Sequence, residues 1–456
     1  MALKLFNTLG RKKQEFKPIK KGQVSMYTCG PTVYQYSHIG NFRAYLAWDI
    51  LRRVLEYNGY VVAQVMNITD VGHLTSDADT GEDKVEREAK KEEKTAKEIT
   101  KFYAEQFVND LRALNIELPM KFGWASKYVK EQIALIQKLE KKGYTYRTTD
   151  GIYFDTAKFK KYGALGGIGA GKARVLHSPE KKRETDFALW KFSGAQKRQQ
   201  EWKSPWGVGY PGWHIECSTI STKELGQPFD IHTGGEDHIA VHHNDEIAQS
   251  EAAYDKPLAH YWLHNAFMVI NGAKMAKSAG DFYTLADLEK QGIEPMALRY
   301  LAISSHYRQK LNFSKSALEG ATNSLNKLRA VFTEKPQATS HKPQVSAGYK
   351  KRFVSALNDD LNMPKAFVAV WDLVKSQKSL ADKQATLLDF DKVLGLNLAK
   401  GFRIERIAPK VRELILFREQ AREKKDWKRA DQLREQIGKL GFEIRDTDDG
   451  YHLTRR

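Results

Sequence analysis

Between Gln23 and Met66 the spacing of apolar residues changes period twice, and no other stretch constrains the fold as tightly. Gln23-Val24-Ser25-Met26-Tyr27-Thr28-Cys29 alternates polar and apolar side chains, as a strand does. Gly30-Pro31 ends it. From Asn41, apolar Ala44, Ala47, Ile50, Leu51, Val54 and Leu55 recur at helical spacing, and Asn58-Gly59 stops the helix. Tyr60 to Met66 turns β-rich again through Val61, Val62 and Val65. Strand, helix and strand over this length form a βαβ unit, so a parallel sheet is expected.

At 456 residues the chain exceeds what one core supports, and two to four domains are expected. No apolar run approaches the roughly 20 residues that span a bilayer. The first 22 residues are Lys-rich and polar, without the apolar segment of a secretory signal. Two cysteines, Cys29 and Cys217, are too few for a disulfide framework and fit a reducing cytosol, so a cytoplasmic protein is expected. A formal charge of +18 points to a polyanionic partner, because clustered Lys and Arg release counterions from phosphates. Charge alone separates neither RNA, DNA nor membrane, and it also fits a basic surface with no partner.

Several stretches invite a functional reading and do not hold it. Gly81 to Lys101 carries Glu and Lys at helical spacing and reads as a solvated helix held by i,i+4 pairs. Asp77, Asp79 and Asp83 lack the spacing and closing Glu of a calcium loop. Gly166 to Lys172 nearly matches a phosphate loop, but Ala173 stands where the magnesium-binding hydroxyl belongs, and a flexible loop is expected. Phe332 to Gly348 reads as a linker. Trp427, Ala430, Leu433, Ile437 and Leu440 mark one helical face, capped by Gly441. A terminal hairpin through Asp448-Asp449-Gly450 follows.

Three motifs carry chemistry. Ser37-His38-Ile39-Gly40-Asn41 stands at the entry to the helix, where free N–H groups and the macrodipole favour phosphate. Lys274-Met275-Ala276-Lys277-Ser278 sets two lysines three apart, a clamp for a triphosphate as pyrophosphate leaves. Each motif is weak alone. The third is spread over Pro211-Gly212-Trp213-His214-Ile215-Glu216-Cys217-Ser218, Asp230 to Asp237, and His242-His243-Asn244-Asp245-Glu246. His242 and Glu246, four apart on an expected helix, share a face. With Cys29 and Cys217 they make a candidate zinc site of two thiolates, an imidazole and a carboxylate. A plainer reading is also open: Cys29 packs at a strand end and the histidine pair caps a helix.

The His-Ile-Gly-Asn and Lys-Met-Ala-Lys-Ser pair resembles the signatures of class I aminoacyl-tRNA synthetases. Tyr27-Thr28-Cys29-Gly30-Pro31-Thr32-Val33-Tyr34, Gly212-Trp213-His214-Ile215-Glu216-Cys217, His242-His243 with Glu246-Ile247-Ala248-Gln249-Ser250, Phe6-Asn7-Thr8-Leu9 and Asp426 to Asp431 look like cysteinyl-tRNA synthetase over essentially the whole chain. The resemblance implies an α/β fold. A Rossmann-like catalytic core (1–118 and 204–255) is split by a connective insertion (119–203). A stem-contact junction with the lysine loop (256–315), a helical bundle (316–400) and a small α+β anticodon-binding domain (401–456) follow. It implies one zinc on Cys29, Cys217, His242 and Glu246, and a cysteine pocket lined by Gly30, Thr69 and Trp213. It implies magnesium-bound ATP held by His38, Gly40, Asn41, Asp237, Lys274, Lys277 and Ser278, with His38, Lys274 and Lys277 acting in catalysis. Its partners are ATP, L-cysteine and tRNA(Cys), with no membrane, and a monomer is expected. The insertion is too short for an editing domain. The chain departs from the family pattern at Ala276, at Glu236 to Val241, and at Val71-Gly72-His73-Leu74 after Asn67-Ile68-Thr69-Asp70. A ligase joining cysteine to a sugar amine would lack the basic end from Pro409, and a non-catalytic RNA-binding paralogue would lack His38 or the lysines.

Overall fold

The computed structural model describes residues 2–71, 83–167, 180–194, 198–270, 273–274, 283–333, 336, 342–399, 409–423, 426–447 and 450–455. The chain divides into two compact units, Met1–Ala399 and Lys400–Arg456.

The βαβ unit is present as β1 (Gln23–Thr28), α1 (Ile39–Tyr57) and β2 (Val61–Ile68). β3 (Lys121–Trp124), β4 (Phe229–Gly235) and β5 (Ala259–Asn265) complete a five-stranded sheet. Its order is β5-β4-β1-β2-β3, and every pair is parallel. Strand order reverses between β1 and β4. Ligands of open α/β sheets bind in the crevice beyond the carboxyl ends of the strands at that switch point. Two helices flank it: α2 (Trp213–Leu225) leads into β4, and α3 (His242–Tyr254) joins β4 to β5.

Residues 119–203 contribute strands to two sheets. β3 belongs to the catalytic sheet, where Lys121 pairs with Val65. A separate antiparallel sheet runs in the order Thr145–Arg147, Gly151–Phe154, Phe187–Phe192, Gly207–Pro211, Trp202–Ser204. Four residues of β3 are too few to show a period, which hides this strand from the sequence. The small sheet shares a core with the ligand-bearing helices, since Phe154, Phe187 and Trp190 cluster with Ile215 and Ala248.

The charge run is two helices rather than one, Lys84–Lys91 and Ala96–Ala113. Thr95 breaks it with a capping box: Glu98 N–H donates to Thr95 Oγ1 at 3.2 Å and Thr95 N–H to Glu98 Oε2 at 2.9 Å. Neither helix is fully solvated, because Val85, Ala89, Ile99 and Phe107 are buried. Asp83 caps the first, accepting from Val85 N–H at 2.8 Å. Gly166 and Gly167 have positive φ, and residues 168–173 lie outside the described residues.

An ion cluster anchors α1 from behind. Asp49 on α1 is fully buried beside Arg299 of α4 (Pro295–Ile303) at 2.6 Å and Arg53 at 2.8 Å. Arg299 also donates to the carbonyls of Leu114 at 3.0 Å and Leu394 at 2.8 Å. Leu394 ends the last of four helices, Lys315–Ala330, Ala347–Leu357, Met363–Lys375 and Leu380–Leu394. At the other end of α1, Ile39 N–H donates to Tyr283 O at 2.8 Å. Among the described residues no helix is long and apolar enough to cross a membrane.

The second unit pairs helices Pro409–Glu423 and Trp427–Lys439 with the expected hairpin, Phe442–Thr447 and Gly450–Arg455. Asp446 gathers Arg418, Arg422 and Arg434 within 2.8 Å. Ala430, Leu433 and Ile437 form the buried face, while Trp427 and Leu440 are exposed by 56% and 46%. At about 100° per residue, Trp427 points roughly 90° away from the centre of that stripe.

Removing one partner of a buried pair strands the other charge, so Asp49→Ala should cost about 3–5 kcal/mol. Against the cost of burial, Arg299 and Arg53 hold the Asp49 carboxyl below its usual range. Its contribution is therefore present above the unfolded value of about 4 and is lost as pH falls through the lower native one. Urea unfolding of Met1–Ala399 at pH 7 checks this, and a loss below about 1 kcal/mol would contradict it.

Candidate functional site

Three elements bring four ligand groups to the switch point. Cys29 follows β1 and is tied to β4, its N–H donating to Thr233 O at 3.1 Å. Cys217 lies on α2. His242 and Glu246 stand one turn apart on α3, as their spacing requires. The ligand atoms of Cys29, Cys217, His242 and Glu246 all lie within 4.8 Å of one another, and all four residues are buried. His242 Nε2 is 3.1 Å from Glu246 Oε1, and Cys29 Sγ is 3.9 Å from it. Bonds of about 2.0–2.3 Å around tetrahedral zinc put ligand atoms roughly 3.3–3.8 Å apart, so small shifts suffice. The plainer reading fails on one point: α3 has no side-chain cap, and both histidines turn inward.

A second set, Cys29, His232, His243 and Glu246, meets the same distance. The hydrogen bonds favour the first set. A ligating imidazole normally gives its other N–H to a partner. His242 Nδ1 has one in His214 Nδ1 at 2.8 Å, whereas His232 Nδ1 is buried with no hydrogen-bond partner.

Electrostatics already separates charge in the cluster. Burial resists ionisation of Cys217, but the Cys29 thiol and His242 outweigh it and hold Cys217 at about 6. Burial and the Cys217 charge push Cys29 well up. Burial would also raise Glu246, yet His232 and His242 pull it to about 2. Burial opposes a charged His242, but Glu246 and Cys217 raise it overall.

Of the residues around the ligands, Trp262 and His264 lie outside every motif, while Thr8, His232 and His243 stand in the motifs without an assigned role. His232 Nε2 lies 2.9 Å from Glu246 Oε2. His243 Nδ1 is 2.7 Å from His264 Nε2, and His264 Nδ1 is 2.8 Å from Thr8 Oγ1. Trp213 stacks on His242 at 4.4 Å and Trp262 on His232 at 4.4 Å. The available signal was density, since seven of the 13 histidines fall between 214 and 264.

Gly30 and Thr69 are brought together beside α2. A Cβ on Gly30 would sit 1.8 Å from Asn67 O, so only glycine fits. Gly30 N–H donates to Asn67 Oδ1 at 2.7 Å, Asn67 Nδ2 to Thr69 Oγ1 at 3.0 Å, and the Thr69 hydroxyl to Glu216 Oε2 at 2.9 Å. Trp213 lies one turn before Glu216. His38 is the N-cap of α1, with Gly40 in its first turn. Asn41 Oδ1 accepts the His38 N–H at 3.1 Å, which occupies part of Asn41 in capping. Asp237 is exposed on the 3-10 turn Glu236–His238 beyond β4. Lys274 closes the strand Ala273–Lys274, paired with Val269. Its side chain, Lys277 and Ser278 lie outside the described residues.

The parallel sheet, the switch-point crevice and the long insertion are those of a class I tRNA synthetase. Residues 15–323 match the family model of the class I (C) tRNA synthetase catalytic domain. Residues 406–452 match that of the cysteinyl-tRNA ligase anticodon binding domain. The chain belongs to the cysteine--tRNA ligase family. It is 48% identical to cysteine--tRNA ligase 1 of Burkholderia lata, covering 99% of this chain and 97% of that one. It is 41% identical to cysteine--tRNA ligase of Treponema denticola, covering 98% of each. In fold it is similar to Mycobacterium tuberculosis methionyl-tRNA synthetase in complex with methionyl-adenylate. That match has a TM-score of 0.56 at 15% identity and covers 82% of this chain and 88% of that one.

Burial, then the neighbouring Cys217, raises the Glu216 carboxyl well above its usual range. A group raised in the folded state favours folding at low pH and loses that contribution as pH rises through its native value. Glu216→Gln, which stays neutral, should therefore gain stability relative to the parent between pH 5 and pH 8, by about 1 kcal/mol or more. Melting curves at the two pH values check this, and an unchanged difference would contradict it.

Proposed function

We propose that the chain activates L-cysteine with ATP, giving cysteinyl-adenylate and pyrophosphate, and transfers cysteine to the 3′ end of tRNA(Cys). The observation that carries this reading is the buried set of two thiols, an imidazole and a carboxylate at the switch point. Cys29, Cys217, His242 and Glu246 would hold one zinc. Bound there, zinc supplies a soft Lewis acid that takes a thiolate well and a serine hydroxyl poorly. Rejecting an analogue that lacks the specific ligand atom can reach roughly 10⁴–10⁵ without editing.

The remaining roles fall to this chain's own groups. Gly30 lets the strand end pack against Asn67 at the pocket's edge, while Thr69 and Trp213 wall the pocket. The start of α1, with His38, Gly40 and Asn41, offers N–H groups and the positive end of its dipole to phosphate. The cysteine carboxylate attacks the α-phosphorus of magnesium-bound ATP in line, and the bond to pyrophosphate breaks. His38 stabilises the charge that develops. Lys274 and Lys277, with Ser278, hold the departing pyrophosphate, and Asp237 contacts the nucleotide. Catalysis is positioning plus electrostatics. A terminal ribose hydroxyl of tRNA then attacks the adenylate carbonyl and releases AMP. The basic unit from Lys400 meets the anticodon loop, where unpaired bases are read by stacking and edge contacts. The protein acts in the cytoplasm as a monomer.

Cysteine-dependent ATP–pyrophosphate exchange tests the reading. Exchange should favour cysteine over serine by roughly 10⁴ in kcat/KM, disappear on chelation and return with zinc. Equal exchange with serine, or none from zinc-loaded protein, would refute it.

A further inference from the structure

One side chain of the connective insertion hydrogen-bonds to the helix that carries His242 and Glu246. Tyr162 lies between the 3-10 turn Thr156–Lys158 and the glycines at 166 and 167, in no motif. Its hydroxyl donates to Asp245 Oδ1 at 2.6 Å. Asp245 is fully buried, and its Oδ2 lies 3.3 Å from His214 Nε2, within ion-pair reach though off the hydrogen-bond line. His214, 1% exposed, faces His242 with Nδ1 to Nδ1 at 2.8 Å. His242 Nε2 is then the atom that joins the ligand cluster.

Resting on the zinc reading above, we propose that Tyr162 is a positioning residue for the metal ligand His242, acting through Asp245 and His214. The protons along this chain are set from its far end. A carboxylate only accepts, so Tyr162 donates, and the Asp245 charge 3.3 Å away favours the His214 proton on Nε2. A neutral His214 then has a bare Nδ1, which accepts from His242 Nδ1–H. That leaves the Nε2 lone pair of His242 directed at the ligand cluster, as a metal ligand requires. Neutral histidine otherwise chooses between two tautomers, and this relay chooses for it.

The insertion is also latched to the ligand helix beside the relay. Leu165 N–H donates to Asn244 Oδ1 at 3.2 Å, and Asn244 Nδ2 donates to Gly166 O at 3.1 Å. Asn244 and Asp245 lie between His242 and Glu246 on α3, so a two-point attachment fixes the turn that carries both ligands. Losing the phenol hydroxyl removes one hold on Asp245 and leaves the ring that packs against the core of the small sheet.

The experiment is zinc affinity by chelator competition on the full chain. Parent protein comes first. One zinc per chain whose stand-in cobalt shows thiolate charge transfer upholds the zinc reading, and its absence overturns that reading and the inference with it. Tyr162→Phe should then lower zinc affinity by about 10-fold, the low end for a group behind a ligand, and Asp245→Asn by about 10–100-fold. KM for cysteine should rise in both, with KM for ATP and the melting temperature of zinc-free protein unchanged. Tyr162→Phe should add nothing in an Asp245→Asn background. Parental zinc affinity in both variants, or a full Tyr162→Phe effect in the Asp245→Asn background, would overturn the proposal with the zinc reading intact.

Discussion

Two thiols, an imidazole and a carboxylate lie buried together where β1, α2 and α3 meet, and much of the fold exists to hold them there. A dry site tolerates such groups only when charge is matched and each polar atom has a partner. The parallel sheet meets the first demand by geometry: β1 delivers Cys29 to the crevice, and the connections on either side of β4 deliver the other three ligands. The histidine shell meets most of the second, with His232 Nδ1 left without a hydrogen-bond partner. His214 supports His242, and His264 supports His243. Replacing the ligand set by apolar residues of equal volume would simplify the core and remove the only reason for this shell.

The start of α1 is built on a different principle. α1 presents its N-terminus to the crevice, and a helix end is useful there only if it cannot move. Asp49 and Arg299 lock the middle of α1 to α4 and to the carbonyl of Leu394. Its first residue is bonded to Tyr283, just past the lysine loop in sequence. The start of α1 is thus held by backbone and its middle by a buried ion pair. That rigidity is what positioning catalysis needs.

The sequence reveals elements where a period runs long enough to be seen. β1, α1 and β2 were legible for that reason, as were the terminal hairpin and the one-turn spacing of His242 and Glu246. β3, at four residues, was not. The capping box at Thr95 was visible in Thr95 and Glu98 yet lost inside a run of charge. The meeting of Cys29 with Cys217 is not written in spacing; it was one candidate beside a plainer reading, and the resemblance favoured it. The outer layer was least legible. Tyr162 and Asp245 are 83 positions apart, and no local pattern links a tyrosine in a loop to an aspartate on a distant helix. Trp427 marks a limit of a different kind, since apolar character at roughly helical spacing does not guarantee a buried side chain.

The central claim is that the cluster binds zinc and that zinc reads the substrate's sulfur. Zinc-edge X-ray absorption on the loaded protein, with and without L-cysteine, tests it most directly. Two sulfurs at about 2.3 Å with two lighter ligands at about 2.0–2.2 Å are expected in the free protein. A third sulfur should appear with cysteine and not with serine. A shell without sulfur, or one unchanged by cysteine, would contradict the account.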